Sequence, residues 1–311
     1  MLIVLALGGN ALLKRGEAQT AAVLEANVAG AAEAVAALGR EHRIVVTHGN
    51  GPQIGLLALQ AAAYGEGPPF PLDILGAESE GMIGYLLERE IANELPERAV
   101  ATLLTQVRVD PTDPAFQNPS KPIGPGYDRA TADALAAAKG WSFARDGECW
   151  RRVVPSPRPH EIVEIDAVRT LVAAGTVVIC MGGGGVPVKL AAGGRLAGVE
   201  AVVDKDLAAA LLAAELDADA LLLLTDVEAV WTAWPPTAAG ARTIARATPW
   251  QLEGYRFAAG SMGPKVKAAC EFVRTTHRTA AIGALAHAAA VAAGGAGTTI
   301  HARDEPLALR P

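Results

Sequence analysis

A repeated pairing constrains the fold more than any other feature of this chain. Short runs of leucine, valine and isoleucine each end in a turn, and Ala/Leu/Glu-rich stretches of helical length lie between them. Runs that brief and that apolar on both faces suit strands buried in a parallel sheet, and the stretches between them suit the helices that cover it. Strands are expected at 2–7, 43–47, 100–104, 176–181, 220–225 and 279–283. Helices are expected near 20–38, 53–63, 79–95, 167–174, 206–215 and 264–276.

Four glycine-bearing turns punctuate this pattern: "ALGGNAL", "THGNGPQIG", "MGGGGVPV" and "GSMGPKV". In a parallel sheet the C-terminal strand ends share one edge, where ligands bind. Glycine lets backbone N–H groups approach an anion, and a following helix N-terminus adds partial positive charge. One such turn is no more than a turn; four on one edge point to a small anionic or phosphorylated ligand. Two nucleotide signatures are excluded. No G-x-x-x-x-G-K-[ST] occurs, and Gly49, Gly51 and Gly55 are spaced one residue too far for G-x-G-x-x-G.

A chain of 311 residues, 51% of them hydrophobic, can bury a large core. The 27 basic and 33 acidic residues leave a formal charge of −6 with no long basic run, so nucleic acid and anionic membrane are not expected partners. Three widely spaced cysteines indicate neither a disulfide framework nor a zinc site, and the expected setting is a reducing cytoplasm. The apolar opening "MLIVLALGGN" reads as a first strand, and the uncharged 279–302 stretch reads as a buried strand followed by a soluble helix. From about residue 110 to 159 the chain turns proline-rich, too long for an ordinary loop, which marks an inserted subdomain or lid.

The charged residues beside the turns narrow the chemistry. In "EAVVDKDLAA", Asp204, Lys205 and Asp206 stand at a helix start, where the helix dipole favours an acidic cap and disfavours a lysine. Lys205 is therefore either a solvated first-turn residue or the partner of an anion. Lys265 follows Pro264 at about the first helical position, and Lys267 should point away from it. Lys121 sits between two prolines, and spacing alone does not rank it highly. His48 has a structural hydrogen-bonding role as its default, and no histidine shows metal spacing.

Taken together, "ALGGNAL", "THGNGPQIG", "GMIGYLLE", "VDPTDPAFQNPSKPIGP", "RRVVPSPRP", "GGGGVPV", "GVEAVVDKDLAA", "FAAGSMGPKVKAA" and "GTTI" resemble the carbamate kinase family of the amino-acid kinase superfamily. The resemblance implies an α/β fold: an open αβα sandwich with a mainly parallel central sheet, two lobes and a small protruding subdomain. Residues 1–215 would form an N-terminal lobe binding carbamate or carbamoyl phosphate, with the lid at about 110–159, and residues 216–311 a C-terminal lobe binding ATP or ADP. It implies reversible phosphoryl transfer between ATP and carbamate, with Mg²⁺ accompanying the nucleotide, in a cytoplasmic homodimer with no resident metal site. A sister kinase acting on another small carboxylate is the alternative, and a non-catalytic nucleotide binder a more distant one.

By the same resemblance Lys205 and Lys265 would contact the transferred phosphoryl group, Asp206 would hold the lysines, and Lys121 would reach in from the lid. Gly8, Gly9, Asn10, Gly49, Asn50 and Gly51 would surround the small substrate with N–H donors, and Gly182, Gly183 and Gly184 would let the chain pass close to the reacting groups. Thr225, Asp226, Val227, Met262 and Gly263, with Lys265, would serve the nucleotide. The chain departs from the family pattern at three places: Glu80 stands where a glutamine is common and Gly126 where an aromatic is common, so altered lid packing is expected, and "WTAWPPT" replaces a stretch that usually carries an asparagine.

Overall fold

The chain forms β1 (Leu2–Leu7), α1 (Gly9–Leu12), α2 (Ala21–Gly39), β2 (Arg43–His48), α3 (Gly51–Tyr64), α4 (Leu72–Glu94), β3 (Val100–Thr102) and β4 (Gln106–Val109). It continues through β5 (Lys121–Tyr127), α5 (Arg129–Lys139), β6 (Ser142–Asp146), β7 (Cys149–Val154), β8 (Pro159–Ile162), α6 (Ile165–Ala173) and β9 (Val177–Ile179). It closes with β10 (Val186–Leu190), β11 (Leu196–Gly198), α7 (Lys205–Glu215), β12 (Ala220–Thr225), β13 (Ile244–Ala247), α8 (Pro249–Leu252), α9 (Met262–Thr276), β14 (Thr279–Ala284), α10 (Ala288–Ala292), β15 (Thr298–Ile300) and β16 (Ala308–Leu309). This computed structural model describes residues 1–311 apart from Lys14, Arg15, Gly65, Glu66, Ala239, Ala259 and Pro311, and all of their side chains but those of Asn10 and Ala11.

A nine-stranded sheet in the order β16-β13-β15-β14-β12-β1-β2-β9-β3 runs through the molecule, parallel from β14 to β3. All six residues of β1 are buried, and their alternation assigns each to a layer. Leu2, Val4 and Ala6 pack in one core with Ala208, Leu212, Ala269 and Val273 of α7 and α9. Ile3, Leu5 and Leu7 pack in the other with Val28, Val35, Ile83 and Leu87 of α2 and α4. The result is the expected αβα sandwich. Helix α2 is the one helix among the described residues long and apolar enough to cross a membrane, but its Leu24, Val28, Ala31 and Val35 lie in this core.

Strands 2–7 and 220–225 match their expected bounds, and the 43–47 and 279–283 strands gain one residue each. The 100–104 strand is not one element: β3 joins the main sheet, then the chain crosses at Leu103–Thr105 to β4 in a second sheet ordered β11-β10-β4-β8. The 79–95 helix starts seven residues earlier, immediately after Pro71, although Gly76, Gly81 and Gly84 lower its intrinsic propensity. Burial of Leu72, Leu75 and Ile83 outweighs that cost.

The proline-rich stretch forms a third sheet, β5-β7-β6, with α5 across it. This sheet meets the body through α3 and the loop before α7. Ile123 and Val154 share a small core with Ile54, Ala58, Leu72, Leu75 and Val202. The contact with α3 is backbone on backbone: a Cβ on Gly55 would lie 2.0 Å from the Cα of Gly124, which itself has φ +69°. Gly126 is explained as well, because the space beside it holds Cys149, whose Sγ would be 2.5 Å from an added Cβ.

Candidate active site

The parallel register brings the expected turns together. Leu7 lies beside His48 and Leu224, and Val46 beside Ile179, so the chain leaves β1, β2, β9 and β12 along one edge. Glycines let those turns touch. A Cβ on Gly49 would fall 3.1 Å from Gly9 N and 3.3 Å from Lys205 Cδ. One on Gly182 would fall 2.4 Å from His48 Nε2, and one on Gly183, at φ +66°, would fall 2.1 Å from Asn50 Nδ2. Gly182, Gly183 and Gly184 are buried against this cluster, while Gly9 and Gly51 are half-buried.

Two of the expected N–H donors are not available to a ligand. Gly8 N–H donates to Leu224 O at 2.8 Å and Gly49 N–H to Leu7 O at 3.1 Å, each extending the ladder one step past its strand. Their contribution is close approach, not donation. The side chain of Asn10 lies outside the described residues.

The lysines converge as well. Asp204 is the N-cap of α7, with Oδ1 accepting from Asp206 N at 3.0 Å and Leu207 N at 3.2 Å. That places Lys205 and Asp206 in the first turn, both buried. Packing of α9 against α7 brings in Lys265, the fourth residue of a helix that begins at Met262 and not at Pro264. Lys205 Nζ donates to Asp206 Oδ1 at 2.5 Å and Lys265 Nζ to Asp206 Oδ2 at 3.1 Å. From the third sheet Lys121 Nζ donates to Asp204 Oδ2 at 2.6 Å. Lys267 is exposed, as its helical angle requires. Three ammonium groups face two carboxylates, which leaves one positive charge at the meeting point of the glycine turns. Burial and the neighbouring Lys265 pull Lys205 down to about 8 against the opposing pull of Asp206. Burial would raise the Asp206 carboxyl, but Lys205 and Lys265 reverse this and hold it well below the usual carboxylate range.

Beneath the turns lies a polar layer that spacing did not reveal. Glu80 on α4 accepts from Thr105 Oγ1 at 2.6 Å and from Gly182 N at 2.9 Å, and Thr105 Oγ1 in turn accepts from Met181 N at 2.5 Å. Asn50 Nδ2 donates to Ser79 Oγ at 2.8 Å. Glu80 thus fastens the 181–182 turn through hydrogen-bond partners outside the proline-rich segment. His48 is buried with Nδ1 at 3.2 Å from Gly49 O and no partner for Nε2. Burial pushes the Glu80 carboxyl up to about 7 and the His48 imidazole down to about 4.

On the other side of the cluster Thr225 ends β12, buried, with Oγ1 donating to Asp226 Oδ1 at 3.0 Å. Asp226 is exposed, whereas Val227, Met262 and Gly263 are half-buried. Among the described residues no group of three His, Cys, Asp or Glu side chains could hold a metal ion.

Residues 1–283 match the model of the amino acid kinase family. The carbamate kinase of Rhizobium meliloti (strain 1021) is 55% identical over 303 residues, covering 96% of this chain and 93% of its own. Among solved structures, carbamate kinase from Giardia lamblia bound to citric acid superposes with a TM-score of 0.90 at 39% identity, covering 96% of this chain and 98% of that one. The same enzyme bound to AMP-PNP gives a TM-score of 0.86 at 40% identity, with the same coverage.

The buried pair Glu80 and His48 makes a pH-dependent stability test possible. Glu80 keeps its proton to about pH 7 when folded but loses it at its ordinary 4.5 when unfolded, so its stabilisation is lost as pH rises through that window. His48 acts in the opposite sense, because its stabilisation is present above 6.5 and lost as pH falls toward 4. The two slopes offset each other in the wild type. Urea unfolding should therefore show the stability of wild type relative to Glu80→Gln falling by up to about 3 kcal/mol between about pH 4.5 and about pH 7.5. A pH-independent difference would remove the assigned burial effect.

Proposed function

The chain belongs to the carbamate kinases of the amino acid kinase family, and from that premise we propose how its residues move a phosphoryl group between ATP and carbamate. In the forward direction a carbamate oxygen forms a bond to the γ-phosphorus of ATP while the bond to the departing ADP oxygen breaks. Carbamate is already an anion, so no general base is needed, and catalysis rests on alignment and on neutralising charge spread over the transferred group.

The observation that carries the assignment is the buried Lys205–Asp206–Lys265 arrangement with Lys121 beside it. In this reading Lys205 and Lys265 hold equatorial oxygens of the transferred phosphoryl group, Asp206 orients both ammonium groups, and Lys121 adds the third cation from the protruding sheet. Asp206, accepting only, fixes two donors at once. The carbamate end lies among Gly9, the backbone of Asn10, Asn50, Gly51 and the Gly182–Gly184 run, with Gly8 and Gly49 supplying close passage. The nucleotide lies toward Thr225, Asp226, Val227, Met262 and Gly263. Residues 1–215 then form the carbamate side, 216–311 the nucleotide side and about 110–159 the lid.

In this reading Asp204 and Asp206 are both engaged by lysines and are not assigned as metal ligands. Mg²⁺ is accordingly part of the substrate, arriving on the nucleotide phosphates. A cytoplasmic setting is favoured by the need for ATP and by three free cysteines, and recovery of the chain from outside the cell would contradict it. For assembly we favour a homodimer. Ile74, Met82 and Tyr85 are exposed on one face of α4, next to exposed Leu104 and the cross-strand pair Leu190 and Leu196, an apolar surface suited to a second copy.

Two measurements test this reading. Light scattering should give the mass of two chains, and Tyr85→Glu should shift it toward one; a one-chain wild type would exclude the dimer. The pH profile of kcat/KM for ATP formation from carbamoyl phosphate and ADP should fall above about pH 8, as Lys205 of the free enzyme loses its proton. A profile flat through and beyond that pH would show that the Lys205 ammonium is not required.

A further inference from the structure

The residues assigned above leave one carboxylate of the cluster without a role in the reaction. Asp204 reads at first as a helix cap, and its Oδ1 serves Asp206 N and Leu207 N as a cap does. Its other oxygen faces away from the helix and receives Lys121 Nζ at 2.6 Å, a closer contact than Lys265 makes with Asp206. A cap alone does not need a charge, since asparagine and serine cap as well as aspartate. What aspartate adds is an ionic acceptor for a lysine that lies 83 residues away in sequence, on the protruding sheet.

The chain around Asp204 is tied to the protruding sheet a second time. Val202 N–H donates to Pro155 O at 3.0 Å, immediately after β7, and the Val202 side chain shares a core with Ile123 and Val154. Lys121 is the first residue of β5 and pairs across to Val154. The segment 202–204 therefore touches both strands of the β5-β7 ladder at its Lys121–Val154 end and then continues directly into the helix carrying Lys205 and Asp206. Burial would raise the Asp204 carboxyl, but Lys121 draws it below its ordinary range, so the carboxylate form is the one that receives the lysine.

We propose that Asp204 is a positioning residue for the reaction. Through one oxygen it fixes the start of α7, and through the other it sets Lys121 in register with Lys205 and Lys265, so that docking of residues 121–154 and the geometry of the lysine cluster are coupled. The proposal rests on the reading that Lys121 serves the transferred phosphoryl group. A lysine on an unanchored sheet would have to be ordered at each turnover, whereas one held on Asp204 waits within reach of the site.

The test uses wild type, Asp204→Asn, Lys121→Gln and the double variant. It reads kcat and KM for carbamoyl phosphate at saturating ADP and Mg²⁺, and hydrogen exchange of residues 121–154 and of α7. Asp204→Asn keeps the cap, so exchange in α7 should match wild type while exchange in 121–154 rises. Its kcat/KM should fall about tenfold, and in the Lys121→Gln background it should cause less than about a twofold further loss, as expected for two residues acting through one contact. An equal loss in both backgrounds overturns the proposal while leaving the role of Lys121 intact, provided Lys121→Gln is itself slow. Wild-type turnover by Lys121→Gln instead defeats the reading of Lys121, and the proposal with it. Should Asp204→Asn fail to fold, Lys121→Gln still decides: it leaves the cap untouched and must loosen 121–154, and unchanged exchange there overturns the coupling.

Discussion

Everything at this site depends on the double ion pair at Asp206. A carboxylate almost free of solvent contact holds two ammonium groups, one from its own helix and one from α9. Burial pulls Lys205 down to about 8, and the attraction of Asp206 opposes that pull. Removing Asp206 would leave the two cations facing each other, at a cost of about 3–5 kcal/mol by analogy with other broken buried pairs. The arrangement is best understood as a standing supply of positive charge, held in place before any phosphate arrives.

The sandwich exists, in effect, to bring that pair to the glycine turns. Alternate residues of β1 bind the two helical layers, which fixes α7 and α9 on one side of the sheet and α2 and α4 on the other. The parallel register then delivers the ends of β1, β2, β9 and β12 to the N-terminal ends of α7 and α9. Glycine at positions 182 and 183 is required by contact distance, since a side chain there would strike His48 or Asn50, and at 49 an added Cβ would crowd Gly9 N at 3.1 Å. Glu80 and Thr105 complete the frame from below by tying α4 to the turn after β9.

Much of this was legible in the sequence because it follows from local pattern. Buried strands of a parallel sheet are continuously apolar, so β1 and β12 were bounded to the residue, and Asp204 was visible as a cap ahead of an Ala/Leu helix. What was not legible depends on distance in space. Leu103–Thr105 carries no signal that the chain leaves one sheet for another. The Glu80–Thr105–Gly182 layer joins residues 25 and 102 positions apart. Gly8 and Gly49 looked like anion donors because a glycine after a strand does not show whether its N–H continues the ladder. The pairing of Lys121 with Asp204 was hidden for the same reason, and from spacing alone that lysine was indistinguishable from a solvated loop residue.

The central claim is that Lys205 and Lys265 act on the transferred phosphoryl group and are not merely partners of Asp206. It is tested most directly by steady-state kinetics of Lys265→Met, with nucleotide binding and thermal unfolding measured alongside. Lys205 keeps Asp206 paired in this variant, so the protein should remain folded. The expected result is a kcat lower by about 100- to 1000-fold with the affinity for ADP changed by only a few fold, as for loss of a donor that acts in the transition state. A folded variant with kcat within about twofold of wild type would contradict the account.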